Sequence, residues 1–396
     1  MTADAPWLPE LPNHWEVVQM RRCVTFRNGA DYKDVEVYEG GFPVYGSGGE
    51  FRRARGYLYD GPSVLFGRKG TIDRPLLVSG KFWTVDTMFY TELGDRIEPR
   101  FLHYYATTMP FSYYSTSTAL PSMTQGSLGG HRMPLAPLEE QHIIADYLDR
   151  ETARIDVLVE EQRGLIEMLR ERRQDLVRAA VLGSANPFSP PPEAAFTAIG
   201  HHFSVTLGKM LDAGKAVRSE DRMLPYIRAG NIQDAGLKLD DVKQMPYSEA
   251  EASNLNLLKG DLLVVEGGAV GTNVLLHEDM PEWSFQKTVN RLRPLSNWSP
   301  AWLGYVLRTY RDIGVIDIVC NRSTISHLTA EKLRAMRVPN VDPLEQERVA
   351  ATLDRQTAKI DVLIAESERF VALSCERRAA LITAAVTGQI DVRELA

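Results

Sequence analysis

The stretch Leu148-Asp-Arg-Glu-Thr-Ala-Arg-Ile-Asp-Val-Leu158 returns 205 residues later as Leu353-Asp-Arg-Gln-Thr-Ala-Lys-Ile-Asp-Val-Leu363. The two copies also share their flanks, which are Pro137-Leu-Glu-Glu-Gln141 with Pro343-Leu-Glu-Gln346 and Glu171-Arg-Arg173 with Glu376-Arg-Arg378. An unlike segment precedes each copy. A cassette that occurs at the middle and again at the end of a chain predicts a molecule built from two halves.

Each cassette has the periodicity of a long helix with an apolar stripe. One seam repeats every seven residues, on Leu148, Ile155, Gln162, Leu169 and Leu176 in the first copy and on Leu353, Ile360, Ser367, Ser374 and Leu381 in the second. The adjoining seam is expected on Leu158, Leu165, Arg172 and Ala179, and on Leu363, Phe370, Arg377 and Ala384. A helix of about 45 residues could not bury this stripe alone. We therefore expect the copies to pair as an antiparallel intramolecular coiled coil, with Gly183 and Gly388 as C-terminal caps.

The remaining segments are predicted to be mixed α and β. Short β-prone runs are Val64–Phe66, Leu76–Val78 and Thr87–Tyr90 in the first segment, and Asp261–Val265 and Asn273–Leu276 in the second. The proline-rich stretch 184–192 marks a linker. The predicted fold class is α+β, with pseudo-twofold mixed α/β domains at residues 1–136 and 185–342 and helical spacers at 137–184 and 343–396.

Composition limits the classes of protein to which the chain could belong. Its 396 residues, 44% hydrophobic, suffice for two or more packed cores, and the three cysteines are too scattered for a disulfide framework or a zinc ribbon. Neither a membrane span nor a leader sequence is visible, which predicts a cytoplasmic protein. The net charge of −7 comes mainly from the cassettes, and both globular segments are nearly neutral. Any nucleic-acid binding would have to depend on local basic loops.

The repeated motifs carry a family resemblance. The Pro-Leu-Glu-Glu-Gln opening, the Thr-Ala-Arg/Lys-Ile-Asp-Val-Leu core and the Glu-Arg-Arg turn resemble the specificity subunit of type I restriction-modification enzymes. Phrases between the cassettes are similar to the target-recognition domains of that family, namely Leu11–Trp15, Phe42–Gly49, Gly67–Gly70 and Tyr226–Ile232. The second half departs from the family pattern at Ala198–Phe203, where a Leu-Pro-x-x-Trp phrase is expected.

The resemblance implies a DNA-reading subunit without chemistry of its own. Each target-recognition domain would read one half of a bipartite double-stranded DNA target, and the helices would fix the gap between the halves. Two methyltransferase subunits and restriction/translocase subunits would be partners, bringing S-adenosylmethionine, ATP and Mg, whereas this chain would hold no cofactor. The histidine spacings independently indicate no metal site, and no Walker loop or nucleophile elbow is present. Two alternatives stay open: a coiled-coil protein-binding adaptor, and a specificity subunit for a fused methyltransferase-nuclease.

DNA contacts need donors and acceptors on loops, with cations nearby to hold phosphates. The candidates in the first half are Ser47, Arg52, Arg53, Arg55, Arg68, Lys69, Thr118, Ser122, Thr124 and Gln125. Those in the second half are Arg228, Asn231, Glu266, Thr272, Gln286, Lys287, Arg322, Ser323, Thr324, Ser326 and His327. Solvated turns and helix N-caps are the competing explanations, particularly around Thr124 and at Ser326.

Partner docking is expected on the cassettes. The candidates are Glu140, Gln141 and Gln346 at the helix starts and the repeated pairs Arg172-Arg173 and Arg377-Arg378. Acidic groups at a helix start also favour the helix dipole without any partner, and arginines beside a coiled-coil seam often extend to solvent.

Overall fold

The computed structural model describes residues 6–114, 121–183, 195–210, 220–320 and 327–394. It divides into unit 1, formed by residues 1–164 and 367–396, and unit 2, formed by residues 165–366. Each unit therefore takes one part of each cassette together with one of the intervening segments. The predicted linker at 184–192 lies outside the described residues.

Unit 1 consists of short strands followed by helices. The strands are β1 (Glu16–Gln19), β2 (Val24–Asn28), β3 (Glu36–Val37), β4 (Phe42–Gly46), β5 (Gly49–Ala54), β6 (Tyr59–Asp60), β7 (Ser63–Gly67), β8 (Leu76–Val78), β9 (Lys81–Thr84), β10 (Met88–Leu93) and β11 (Arg132–Leu135). The helices are α1 (Pro99–Thr107), α2 (Phe111–Tyr114), α3 (Gln125–Gly130) and the first part of α4 (Leu138–Leu182).

Unit 2 follows a similar order of elements, with one additional short helix among its strands. Its strands are β12 (Phe196–Ala198), β13 (Phe203–Leu207), β14 (Arg222–Ile227), β15 (Ile232–Gln233), β16 (Gly236–Leu237), β17 (Lys243–Tyr247), β18 (Leu262–Val265), β19 (Asn273–Leu275), β20 (Ser284–Phe285), β21 (Val289–Pro294) and β22 (Arg337–Pro339). Its helices are α5 (Glu249–Asn254), α6 (Pro300–Asp312), α7 (Val315–Val319), α8 (Ala330–Ala335) and α9 (Pro343–Val386), which continues into unit 1.

The two units share a strand topology. The four-stranded sheet runs β2-β10-β7-β8 in unit 1 and β13-β21-β18-β19 in unit 2, and a two-stranded sheet pairs β1 with β11 or β12 with β22. A further sheet contains one parallel pair, β4 with β9 or β14 with β20. The mixed α+β architecture is confirmed, and the same frame is built twice.

Backbone hydrogen bonds align the two frames residue by residue. Gly29 N donates to Met88 O at 3.0 Å, and Gly208 N donates to Val289 O at 3.1 Å. A Cβ atom at Gly29 would lie 2.0 Å from Val85 O, and one at Gly208 would lie 2.3 Å from Gln286 O. Glycine is therefore required at this close approach of two strands in both units.

Each unit has its own apolar core that includes helix residues. In unit 1, Phe101 and Leu102 of α1 join Leu148 of α4 and Ile382 and Val386 of α9 in one buried cluster. In unit 2, a corresponding cluster contains Trp302 and Leu303 of α6 with Val177 of α4 and Leu353 of α9. The long helices are therefore part of each core rather than appendages to it.

The two long helices run antiparallel within each unit. In unit 1, Arg378 pairs with Asp156 at 2.9 Å, and in unit 2, Arg173 pairs with Asp361 at 2.7 Å. Both ion pairs join equivalent residues of the two cassettes. In each unit the residue later in one helix pairs with the one earlier in the other, which confirms the predicted antiparallel coiled coil.

One of the two predicted seams is wrong. The first seam is buried or half-buried as expected, but its partner line in α4 is Thr152, Val159, Ile166 and Arg173, and in α9 it is Thr357, Ile364, Val371 and Arg378. The residues predicted to form the second seam lie at the surface instead, where Leu158 is 46% exposed and Leu363 is 48% exposed. Val159 and Ile166 are as apolar as Leu158 and Leu165, so the heptad pattern could not tell which side of the first seam meets the other helix.

A buried glutamine joins the start of each long helix to its unit. Gln141 accepts a hydrogen bond from Glu98 N at 2.9 Å and donates to Arg96 O at 2.9 Å and Ala136 O at 2.8 Å. Gln346 accepts from Ser299 N at 2.9 Å and donates to Val341 O at 2.8 Å. Glu98 and Ser299 are the N-caps of α1 and α6. Each long helix is thereby tied to the first turn of a domain helix.

A histidine that is buried in unit 1 has no counterpart in unit 2. His131 Nε2 lies 2.7 Å from the Tyr105 hydroxyl and its Nδ1 lies 2.5 Å from that of Tyr114, and the ring stacks on Trp7. Because the Tyr105 hydroxyl donates to Arg132 O at 3.1 Å, it accepts from Nε2–H, and Nδ1 accepts from Tyr114. Burial lowers the pKa of His131 to about 4. The neutral ring therefore satisfies this network.

We expect acid to destabilise unit 1 through His131. The unfolded chain takes up the proton near pH 6.5 and the folded unit only near pH 4, so stability falls by up to about 3 kcal/mol as pH drops between these values. Hydrogen exchange of the β1 and β11 amides, corrected for intrinsic rates, measures the loss. His131→Met, the residue found at the equivalent Met336, should remove the pH dependence, and His277→Gln at an exposed site should keep it. An unchanged pH dependence in His131→Met would contradict this assignment.

Candidate nucleic-acid interface

Arg68 follows the buried strand β7 and is held by its neighbours on both sides. Its backbone N donates to Thr87 O at 2.8 Å, and its carbonyl accepts from Met123 N at 2.9 Å. The guanidinium donates one hydrogen bond, from Nη1 to Asp86 O at 3.3 Å. A guanidinium carries five N–H groups, so donors remain for a ligand while the backbone position is fixed.

Glu266 occupies the equivalent place after β18 in unit 2. Its backbone N donates to Thr288 O at 2.9 Å and its carbonyl accepts from Leu328 N at 2.8 Å. The next residue along each chain segment makes an isolated bridge, Lys69 with Ser122 in unit 1 and Gly267 with His327 in unit 2. Lys69, Ser122 and His327 were predicted from the sequence as DNA contacts, and these bridges bring residues distant in sequence together.

The Glu266 carboxyl group is half-buried, and burial raises its pKa. The electrostatic influences of nearby His327 and Lys287 lower this pKa but are weaker than the effect of burial. Among the described residues, its carboxylate has no hydrogen-bond or ion-pair partner. The desolvation of this group is therefore only partly offset within the domain.

The three arginines near β5 are exposed but contact their own domain. Arg52 pairs with Glu36 at 3.0 Å, and Arg53 pairs with Glu50 at 3.1 Å. Arg55 donates to Asp34 O at 3.1 Å. Exposed pairs of this kind are weak, so these side chains could exchange their partners for phosphates at little cost.

The polar candidates of unit 1 divide between turns and a cap. Ser47 lies half-buried in the turn between β4 and β5. Thr124 is the N-cap of α3 and accepts from Ser127 N at 3.0 Å, while Gln125 is the first residue of that helix. Thr124 therefore acts as a helix N-cap, as the competing explanation expected. A contact between Thr124 and a DNA base stays a prediction.

Several candidates of unit 2 are engaged in local structure. Asn231 is buried; its amide donates to Lys238 O at 2.9 Å and accepts from Arg228 N at 3.2 Å. Arg228 is half-buried and pairs with Asp241. These contacts hold the turn after β14, so Asn231 has a structural role whether or not Arg228 meets DNA.

Thr272 and Gln286 also have partners inside unit 2, whereas Lys287 projects from its surface. The Thr272 hydroxyl accepts from Arg311 at 3.0 Å, and Gln286 accepts from the Thr288 hydroxyl at 3.2 Å. Lys287 is exposed and follows Gln286 directly. Of these three, Lys287 is the best placed to meet a phosphate.

Some candidates lie outside the described residues. They are Thr118 in the first half and Arg322, Ser323, Thr324 and Ser326 in the second. Their assignment as DNA contacts stays a prediction.

The docking candidates differ in accessibility. Gln141 and Gln346 are buried by the bonds that tie the helices to their units, and Glu140 is held by His14 at 2.8 Å and by Trp15 at 3.2 Å. Arg173 and Arg378 form the ion pairs of the coiled coil. Arg172 and Arg377 are exposed. The exposed arginine of each pair is therefore the member that a partner could reach.

An apolar surface on the helices was not identified as a site from the sequence. It is formed by exposed residues that repeat at the 205-residue offset, namely Val157, Leu158, Leu165 and Met168 of α4 and Val362, Leu363, Phe370 and Leu373 of α9. We call it the outer apolar line. Leu158, Leu165, Leu363 and Phe370 belong to the second predicted seam, which the heptad pattern assigned to the interior of the coiled coil.

The described ranges contain neither a candidate metal site nor a candidate membrane span. No group of three His, Cys, Asp or Glu residues within them is arranged to hold a metal ion. Within the same ranges, every helix is too short or too polar to cross a membrane.

Comparisons with known proteins agree on one family. Residues 12–166 match the family described as type I restriction modification DNA specificity domain. A curated Haemophilus influenzae protein, named as the type I restriction enzyme specificity subunit S.HindORF215P, is 23% identical over 325 residues, which cover 80% of each chain. The StySPI specificity subunit of Salmonella potsdam is 25% identical over 175 residues, which cover 43% of this chain and 37% of that one.

Solved structures share the fold. A chain from a study of complex assembly and conformational transition of a type I system is 16% identical with a TM-score of 0.69, covering 96% of this chain and all 100% of that one. The HsdS subunit of Thermoanaerobacter tengcongensis is 16% identical with a TM-score of 0.56, covering 98% and 100%. The family model and the curated relatives thus agree that this chain is similar to the specificity subunits of type I restriction-modification systems, and the solved structures share its fold.

Proposed function

We propose that this chain selects the DNA sequence on which a type I restriction-modification complex acts, with each unit reading one half of a bipartite target. The observation that carries the proposal is the repeated frame. In both units, two backbone hydrogen bonds fix the residue that follows a buried strand, yet the side chains differ, Arg68 in one and Glu266 in the other. A backbone frame that is kept while the side chains at its strand ends change suits two readers of different sequences.

The buried glutamines support a spacer role for the helices. Because Gln141 and Gln346 fix the start of each long helix to the first turn of α1 or α6, the helix cannot pivot freely on its unit. The length of the helical pairing would then determine the gap between the two half-sites. A flexible linker would leave that gap variable.

Catalysis would belong to partner subunits. Two methyltransferase subunits would supply S-adenosylmethionine chemistry, and restriction/translocase subunits would use ATP and Mg. The comparisons do not favour the adaptor or the fused methyltransferase-nuclease alternative. This chain itself would contribute the DNA sequence specificity of the complex.

The outer apolar line is our proposed docking surface for the methyltransferase subunits. Each unit carries an equivalent set, Leu158 with Phe370 in unit 1 and Leu363 with Leu165 in unit 2. Large apolar side chains that stay exposed at helical spacing on a helix surface commonly mark a protein interface. Arg172 and Arg377 continue the same helical lines and would contact acidic groups of the partner.

Cells that carry this chain with its methyltransferase should show methylation at a two-part sequence with a fixed gap, because two readers are held by one spacer. Methylome sequencing measures this directly. Exchange of residues 1–136 for a related domain should change one half-site and leave the other intact. A continuous motif, or no motif, would refute the two-reader proposal.

Lengthening both helices should lengthen the gap without changing either half-site. Seven residues inserted between Gly164 and Leu165 and seven between Glu366 and Ser367 keep the heptad register and add about 10 Å, or roughly three base pairs. Inserting four residues at each place breaks the register and serves as the contrast. Altered half-site sequences in the seven-residue variant would show that the helices read DNA rather than space the readers.

Charges on the outer apolar line should block assembly. The double variant Leu158→Glu and Leu363→Glu should weaken methyltransferase binding by about tenfold or more, while both units keep their fold because these side chains are already half exposed. Copurification and calorimetry measure the effect. Leu295→Glu changes an equally apolar, 66% exposed residue outside the helices and is the matched control. If the double variant and the control bound the methyltransferase with equal affinity, the outer apolar line would not be the docking surface.

A further inference from the structure

The structural alignment of the units places opposite charges at two equivalent positions. Arg68 and Glu266 both donate their backbone N–H to a threonine carbonyl, that of Thr87 or Thr288. The residue before each of these threonines is Asp86 in unit 1 and Lys287 in unit 2. The first unit therefore has a cation at the strand end and an anion opposite, and the second unit has the reverse.

The shared position is rigid in both units. Arg68 and Glu266 each make two backbone hydrogen bonds, one through the N–H group and one through the carbonyl oxygen, with N···O distances of 2.8 to 2.9 Å. A side chain on so restrained a backbone can select a ligand group by position as well as by charge. The isolated bridges, Lys69 with Ser122 and Gly267 with His327, attach a second polar loop to the same place.

Phosphate binding alone does not explain Glu266. A carboxylate repels phosphate, and this one is half-buried without a protein partner among the described residues, at an energetic cost that a ligand could offset. The raised pKa of Glu266 has burial as its main cause, which is consistent with that cost. The complementary group on DNA is an uncharged N–H donor, and the exocyclic amino groups of bases are such donors.

Resting on the function proposed above, we propose that this position reads a base in each unit and that its charge reversal gives the two half-sites different requirements. Arg68 donates to the O6 and N7 acceptors of guanine, and Glu266 accepts from the N4 amino group of cytosine. Cytosine is favoured over adenine because the adenine amino group adjoins the N7 acceptor, which repels a carboxylate. Both units would thus examine a G·C pair, but each would contact the opposite member of it.

Substitution by glutamine tests the position in each unit. A glutamine amide both donates and accepts, and it pairs with the N6 and N7 groups of adenine. In the complex with the methyltransferase subunits, Glu266→Gln should change one position of the second half-site from cytosine towards adenine and leave the first half-site unchanged. The preference for cytosine at that position should fall by roughly tenfold or more. Arg68→Gln should alter one guanine position of the first half-site only.

Selection from a random DNA library by each complex provides the measurement. Lys287→Gln is the control, because loss of a phosphate-binding cation should weaken all sequences similarly and reduce the slope of log affinity against log salt by about one. The retained half-site shows in the same experiment that each variant is folded. If the wild-type complex selected no two-part sequence, the proposed function itself would be refuted. A normal wild-type motif that stays unchanged in both glutamine variants would overturn this inference alone.

Discussion

The burial of one seam along each long helix is the constraint on which the other features depend. A 45-residue helix and a 44-residue helix cannot bury such a stripe in isolation, and in each unit a part of one covers a part of the other. The ion pairs Arg173–Asp361 and Arg378–Asp156 repeat the same contact at equivalent positions. An antiparallel pair of similar helices therefore makes the same contact twice, once in each unit, with the residues of the two copies exchanged.

The glutamine tie extends that constraint into the globular parts. Gln141 and Gln346 each use both ends of the amide, accepting from a helix N-cap residue and donating to a backbone carbonyl. Loss of either amide would leave buried backbone groups without partners, at a cost of about 1–3 kcal/mol each. The Pro-Leu-Glu-Gln motif is thus primarily a joint between helix and domain. A docking role for these two side chains would require that the joint be broken first.

The sequence predicted the long helices, their glycine caps and the mixed domains, because periodicity and backbone-specific residues are local signals. Gly183 and Gly388 do have positive φ, at 52° and 69°. It did not predict which line of leucines is buried, since Leu158 and Val159 are equally apolar neighbours and only the position of the second helix distinguishes them. Nor could it show that Asn231 and Gln141 are buried, because both are residue types that usually lie at surfaces. For the predicted DNA contacts, loop composition identified polar segments, but the pairings Lys69–Ser122 and Gly267–His327 join residues too far apart in sequence for a local pattern to reveal.

The two domains resemble each other in backbone structure more than in sequence, whereas the two helical copies are also alike in sequence. What the domains share is a set of backbone contacts, including the close approach at Gly29 and Gly208 where no side chain fits. Those contacts involve backbone atoms, so they do not determine which side chain occupies the position after the buried strand. Charge at such a position can reverse, as from Arg68 to Glu266, without loss of the fold, whereas reversal of Arg173 alone would break an ion pair of the coiled coil. Under the proposed function, a duplicated frame with replaceable side chains would let each half-site change independently while the helical pairing is preserved.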